Sequence, residues 1–156
     1  MSCEHGEDVL EYEPLCSNGF CDIKESDLER LFVIPFPASK TRNGLYNGFR
    51  DWLRNIRVIP VSLEIWIDGS FVTKKPDPSD IDIVCVYDGD EINALNDNDY
   101  NQLDALLWPD AVKTRYGCHV FPILKGHTGC YDLWIKNFGH SRKGEPKGMY
   151  RIFLGA

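Results

Sequence analysis

Asp80 and Asp82 stand at i and i+2 in the run Asp80-Ile81-Asp82-Ile83-Val84, and nine residues separate Asp80 from Ser70. The pair Gly69-Ser70 closes an earlier apolar stretch, Leu63-Glu64-Ile65-Trp66-Ile67-Asp68. Successive side chains of a strand point to opposite faces, so the two aspartates project on the same side. Carboxylates held side by side repel and raise each other's pKa unless a cation sits between them. Hard oxygen ligands beside a phosphate suit Mg²⁺, with Mn²⁺ as the alternative. Gly69 lets the backbone approach a ligand closely, and a short helical turn opening at Ser70 would offer free N–H groups to an anion. One end of the segment suits phosphate; the other suits a metal that neutralises it.

Gly69-Ser70 followed by Asp80-Ile81-Asp82 resembles the signature of the nucleotidyltransferase superfamily typified by DNA polymerase beta. The fuller pattern Gly69-Ser70-Phe71-Val72-Thr73, Lys75-Pro76, Pro78 and Asp80-Ile81-Asp82 is similar to that of a group of small bacterial and phage proteins in that superfamily. The likeness extends upstream to Thr41-Arg42 and downstream to Ser141-Arg142-Lys143-Gly144-Glu145-Pro146-Lys147-Gly148, most of residues 35–154. It implies an α/β (α+β) fold, a polymerase-beta-like palm with a mixed sheet flanked by helices.

The resemblance implies metal-dependent transfer of a nucleotide monophosphate from a nucleoside triphosphate to an RNA, protein or small-molecule acceptor, in a setting such as a toxin–antitoxin or phage-defence system. Two metal ions clamp the attacking and leaving oxygens in such a transfer. Asp80 and Asp82 would hold them. Gly69, Ser70 and Thr73, with the amides of Phe71 and Val72, would cradle the phosphates. Lys74 or Lys75 would neutralise the leaving pyrophosphate, or else solvate a turn. Arg142 and Lys147 would contact phosphate or acceptor if their loop folds over the site; otherwise they are solubilising charges. Asp68 is expected to order the turn rather than bind metal.

The resemblance also implies a third carboxylate on the next strand, which reads Tyr116-Gly117-Cys118-His119-Val120-Phe121-Pro122. Its polar candidate is His119, and imidazole is a poor Mg²⁺ ligand. Three readings stay open: an ordinary strand histidine beside a degraded site, a general base in place of the carboxylate, or another acid, Asp132, swinging in. The rival function is accordingly a catalytically weakened homologue that binds nucleotide or a protein partner without turnover. Under either reading a partner protein or homodimer is plausible. Trp66, Trp134 and Phe138 could stack on a base, though aromatics at strand or helix period more often belong to the core.

At 156 residues and 43% hydrophobic, the chain has material for one core. Residues 1–24 read as a loosely ordered acidic lead-in and 25–156 as a single nucleotidyltransferase-like domain. No stretch approaches a membrane span and the start lacks a secretory pattern, so a cytoplasmic location is the default expectation. The net charge of −7 argues against a broad duplex-DNA surface. Residues 136–151 nevertheless carry Lys136, Arg142, Lys143, Lys147 and Arg151 against Glu145 alone, a basic lip fitting a nucleotide phosphate. Cys85 and Cys118 read as small buried hydrophobes. Cys3, His5, Cys16 and Cys21 match no compact zinc spacing, and that compartment disfavours disulfides.

These residues need elements to position them. Ser26 with Glu29 suggests a capped short helix over 26–32. Leu45, Phe49, Trp52, Leu53 and Ile56 fall at 0, +4, +7, +8 and +11, an amphipathic helix over 41–56. Gly44 and Gly48 weaken it, so close packing against the sheet is expected. Residues 63–68, 81–87, 118–124 and 149–154 read as strands. Asp88-Gly89-Asp90 reads as a turn and 99–108 as a helix ended by Pro109. Tyr131, Trp134, Ile135 and Phe138 give a last helix, with Gly139 just past its end.

Overall fold

A computed structural model describes residues 12–126 and 147–155, with residues 129, 132, 133, 135 and 136 between them. Five strands form one mixed sheet: β1 (Phe20–Asp22), β2 (Leu63–Asp68), β3 (Ile81–Tyr87), β4 (Cys118–Leu124) and β5 (Met149–Leu154). Their order across the sheet is β1-β5-β2-β3-β4. The outer pairs β1–β5 and β3–β4 are parallel, and β2 runs antiparallel to both β3 and β5. The mixed α+β class expected from the sequence is the class observed.

Strand alternation divides the sheet into two faces. Ile65 and Ile67 of β2, Ile83 and Cys85 of β3, Val120 of β4, and Ile152 of β5 point into the main core. Helices cover that side: α1 (Leu28–Phe32), α2 (Arg42–Arg57), α3 (Gly89–Asn93), α4 (Asp97–Leu107) and α5 (Pro109–Tyr116). Their apolar residues, among them Leu28, Phe49, Leu103 and Val112, join the same cluster. The five apolar positions of the α2 stripe are all buried, as the period requires. On the other face Trp66, Val84, Val86, Ile123 and Met149 form a second, smaller cluster. Phe20, Phe121 and Ile135 pack against it, Ile135 being itself helical. Trp66 is therefore core; its indole N–H donates to Glu64 at 2.8 Å and its ring lies 5.0 Å from Phe20.

Several local expectations are corrected. The lead-in contributes β1, which pairs Phe20 with Met149 and Asp22 with Arg151. Three residues at a sheet edge carry too little periodicity to be recognised. Cys16 and Cys21 form a disulfide, which removes both as zinc thiolates. The turn at 88–90 instead opens α3, with the Asp88 carboxylate accepting from the Asp90 amide at 2.9 Å. Pro109 ends α4 but also begins α5, where its missing N–H costs nothing. The first helical segment starts as a single-turn 3-10 helix, Glu25–Asp27, and Asp27 accepts from the Lys24 amide at 2.9 Å. Gly48 packs against α5 rather than the sheet: a Cβ there would lie 2.2 Å from the Tyr116 carbonyl oxygen. Gly44 meets nothing within 4 Å. No helix among the described residues is long and apolar enough to cross a membrane.

Candidate metal centre at one end of the sheet

Register decides the site. Asp68 ends β2 opposite Asp82 of β3, and Asp82 in turn lies opposite His119 of β4. All three alternate with core-facing neighbours, so they form one row across three adjacent strands on the smaller-cluster face. Asp80, two residues before Asp82, joins the row from the lead into β3. Asp80, Asp82 and His119 each offer a ligand atom, and these atoms lie within 4.8 Å of one another. The Asp82 and His119 side chains are half-buried, with His119 Nδ1 3.9 Å from Asp82 Oδ1. The His119 ring packs against Phe121 at 4.2 Å, which fixes the side of the strand it occupies.

The electrostatics match a crowded carboxylate site. Burial, then the charges of Asp80 and Asp68, push the Asp82 carboxyl up to about 7, against smaller opposing effects of Lys147 and Lys113. Lys113, in the last turn of α5, stands 3.5 Å from Asp80 Oδ2. Asp68 is fully buried, and that desolvation raises its pKa. Lys147 pairs with it at 2.9 Å and partly offsets the shift. Asp-Asp-His at this separation is a donor set that fits Mn²⁺ well and Mg²⁺ through its two carboxylates.

The Gly69-Ser70 turn is pressed against this row. Gly69 has φ +80°, and a Cβ at that position would lie 2.5 Å from Asp82 Oδ2. Ser70–Val72 forms a single 3-10 turn, whose opening amides have no partner inside it. Thr73 holds the turn from below: its hydroxyl donates to the Ser70 carbonyl at 2.7 Å and accepts from the Lys75 amide at 3.2 Å. Thr73 is buried in that role. Lys74 pairs with Glu13 at 2.5 Å, so its charge is directed to the N-terminal segment. Lys75 is half-buried, and its carbonyl is an anchor point for Arg42.

Arg42 is the positioning residue that sequence reasoning missed. Its side chain is wholly buried, and burial lowers its pKa to about 10. All five of its N–H donors are used. Nε and Nη2 reach the Lys75 carbonyl at 3.1 and 2.7 Å. Nη2 also reaches Thr73 O at 2.7 Å, while Nη1 donates to Phe71 O at 2.8 Å and Phe32 O at 3.0 Å. The guanidinium also lies 3.7 Å from the centre of the Phe36 ring. One side chain thus fixes the carbonyls of 71, 73 and 75, the whole strap between the glycine turn and the aspartates. Asp77 closes the strap by accepting from the Lys40 amide at 2.6 Å and the Ser39 hydroxyl at 3.2 Å. A sequence signal existed: Arg42 sits three residues before Leu45, on the buried stripe of α2.

Of the residues expected at the site, the structure brings together Asp80, Asp82, His119, Gly69, Ser70 and Lys147. Lys74 points elsewhere, Thr73 supports the turn, and Asp132 is exposed and outside the metal-capable group. Arg142, with Tyr131, Trp134, Phe138 and Gly139, lies outside the described residues, as do Cys3 and His5.

A mixed five-stranded sheet with a row of acids and an imidazole across its end defines a small α/β protein with a candidate metal centre. Residues 10–153 match the model of DUF6932, a family of unknown function, and the chain belongs to that family. No curated protein and no solved structure matches it.

Proposed function

We propose that the protein binds a nucleoside triphosphate through a divalent cation and transfers its nucleotidyl group to an RNA, protein or small-molecule acceptor. The observation that carries this reading is the convergence of Asp80, Asp82 and His119 within 4.8 Å, beside a glycine turn that touches the Asp82 carboxylate. A bound divalent cation would supply charge neutralisation at phosphate and a lower pKa for the attacking hydroxyl. The chain's own contribution is placement. Asp80 and Asp82 provide anionic oxygens on one side, and the Ser70 turn presents backbone N–H groups to the phosphates on the other. Lys113 and Lys147 add positive charge around an acidic row, so that a polyphosphate meets a balanced rather than a repulsive field.

A second reading rests on two observations: the third member of the metal-capable group is an imidazole, and the nearby carboxylate of Asp68 is engaged by a lysine. On that reading the site binds nucleotide without turning it over. The experiment that separates them is incubation with each α-labelled nucleoside triphosphate, Mg²⁺ or Mn²⁺, total RNA and lysate. Label transferred to a macromolecule or small acceptor supports transfer. Cation-dependent retention of label with no transferred product supports binding alone. Neither retention nor transfer with any nucleotide refutes both.

A further inference from the structure

Resting on the reading above, we propose that Lys147 is the resident cation of the site: paired with Asp68, its ammonium occupies the place a second divalent ion would need. The centre then works with one metal ion, held by Asp80, Asp82 and His119, and one lysine. Three observations lead there. Asp68 is fully buried and sits opposite Asp82 in the sheet, so its charge needs a cation. Lys147 supplies one at 2.9 Å, with its own side chain 16% exposed. The same ammonium acts on Asp82, which stands between Asp68 and His119 in the strand register.

The backbone that carries the lysine is anchored. The next residue, Gly148, donates its amide to the Cys16 carbonyl at 2.8 Å, and Met149 donates to Gly19 O at 2.9 Å. A Cβ at Gly148 would lie 2.2 Å from Cys16 Sγ, so the chain passes Cys16 too closely for any other residue. Lys147 thus enters the sheet end two residues before β5, next to that fixed point. Charge balance gives the arrangement its logic. Asp68, Asp80 and Asp82 against Lys113 and Lys147 leave one net negative charge, and a single divalent ion makes the site positive enough for polyphosphate. A second ion beside Lys147 would meet an ammonium at close range, a repulsion poorly screened away from solvent.

Mn²⁺ stoichiometry, read by electron paramagnetic resonance of the free ion, tests this without reference to turnover. The wild-type chain is expected to bind one Mn²⁺, Lys147→Met two, and the double variant Lys147→Met/Asp68→Asn one. Asp68→Asn alone should keep the single ion, because it leaves the Asp80, Asp82 and His119 donors intact. Two ions in the wild type, one in a folded Lys147→Met, or none in Asp68→Asn would overturn the proposal while leaving the metal centre standing. No ion in the wild type would remove the functional reading itself and this inference with it. If Lys147→Met does not fold, Lys147→Gln takes its place: two ions are again expected, and one in the folded variant overturns the proposal.

Discussion

Replacing Asp82 by Asn should stabilise the metal-free protein, and the gain should grow with pH. The folded-state pKa of Asp82 is raised to about 7 from an ordinary value of 3.8, chiefly by burial and by Asp80 and Asp68. The folded chain therefore keeps a proton that the unfolded chain has already released. Raising the pH through the window from 3.8 to about 7 favours unfolding, and the penalty is constant above it. A shift of about three units at ~1.4 kcal/mol each gives about 4 kcal/mol. That is an upper figure, because 27% of the side chain reaches solvent. We expect about 2 kcal/mol or more at pH 8, which for a domain of this size raises Tm by roughly 4 °C or more. The gain should shrink steadily toward pH 4. Thermal unfolding of both proteins in EDTA across pH 4–8 measures it. Mn²⁺ at about a thousand times its Kd should then reverse the order, since a ligand bound only by the folded wild type adds about 4.1 kcal/mol there. A variant less stable than wild type at pH 8, or a gap independent of pH, would refute the picture of a crowded, desolvated carboxylate.

Arg42→Met strips the donors from the carbonyls of Phe32, Phe71, Thr73 and Lys75, at ~1 kcal/mol or more for each. Urea unfolding should show a loss of at least about 3 kcal/mol, and cation-dependent nucleotide binding should weaken with it because the strap is no longer held. Gly69→Ala places a methyl 2.5 Å from Asp82 Oδ2 in a left-handed backbone, so Mn²⁺ affinity should fall while circular dichroism shows the fold retained. His119→Asp adds a hard, charged oxygen beside Asp82 and should strengthen Mg²⁺ binding in calorimetry; equal affinities would mean that residue 119 does not reach the ion.

The central strands and α2 were legible because their periods are long and regular. Leu45 to Ile56 repeats over three turns, and residues 63–68 and 81–87 are bounded by proline, glycine or aspartate. The pairing of Asp80 with Asp82 followed from strand alternation, and the place of His119 from its position in the next strand. Other parts depend on partners distant in sequence. β1 exists because β5 pairs with it, and Gly48 is explained by Tyr116 rather than by anything in its own helix. Arg42 drew no structural role from the sequence because helix periodicity weighs apolar residues, yet its stripe position and the carbonyl-rich strap make it a buried clamp. Asp68 was expected merely to order the turn. Its parity with Trp66 and its register opposite Asp82 make it part of the acidic row. Lys147 was legible as a base near the site; that it answers the charge of Asp68 required the three-dimensional placement.

The measurement that tests the central claim most directly is equilibrium binding of each of the common nucleoside triphosphates to the wild type and to Asp82→Asn, in EDTA and in saturating Mn²⁺. At least one nucleotide should bind the wild type with Mn²⁺ and be released by EDTA, while Asp82→Asn binds it weakly under both conditions. Binding that is equal in EDTA and Mn²⁺, or unchanged by the loss of the Asp82 carboxylate, would contradict a metal-dependent nucleotide site at this end of the sheet.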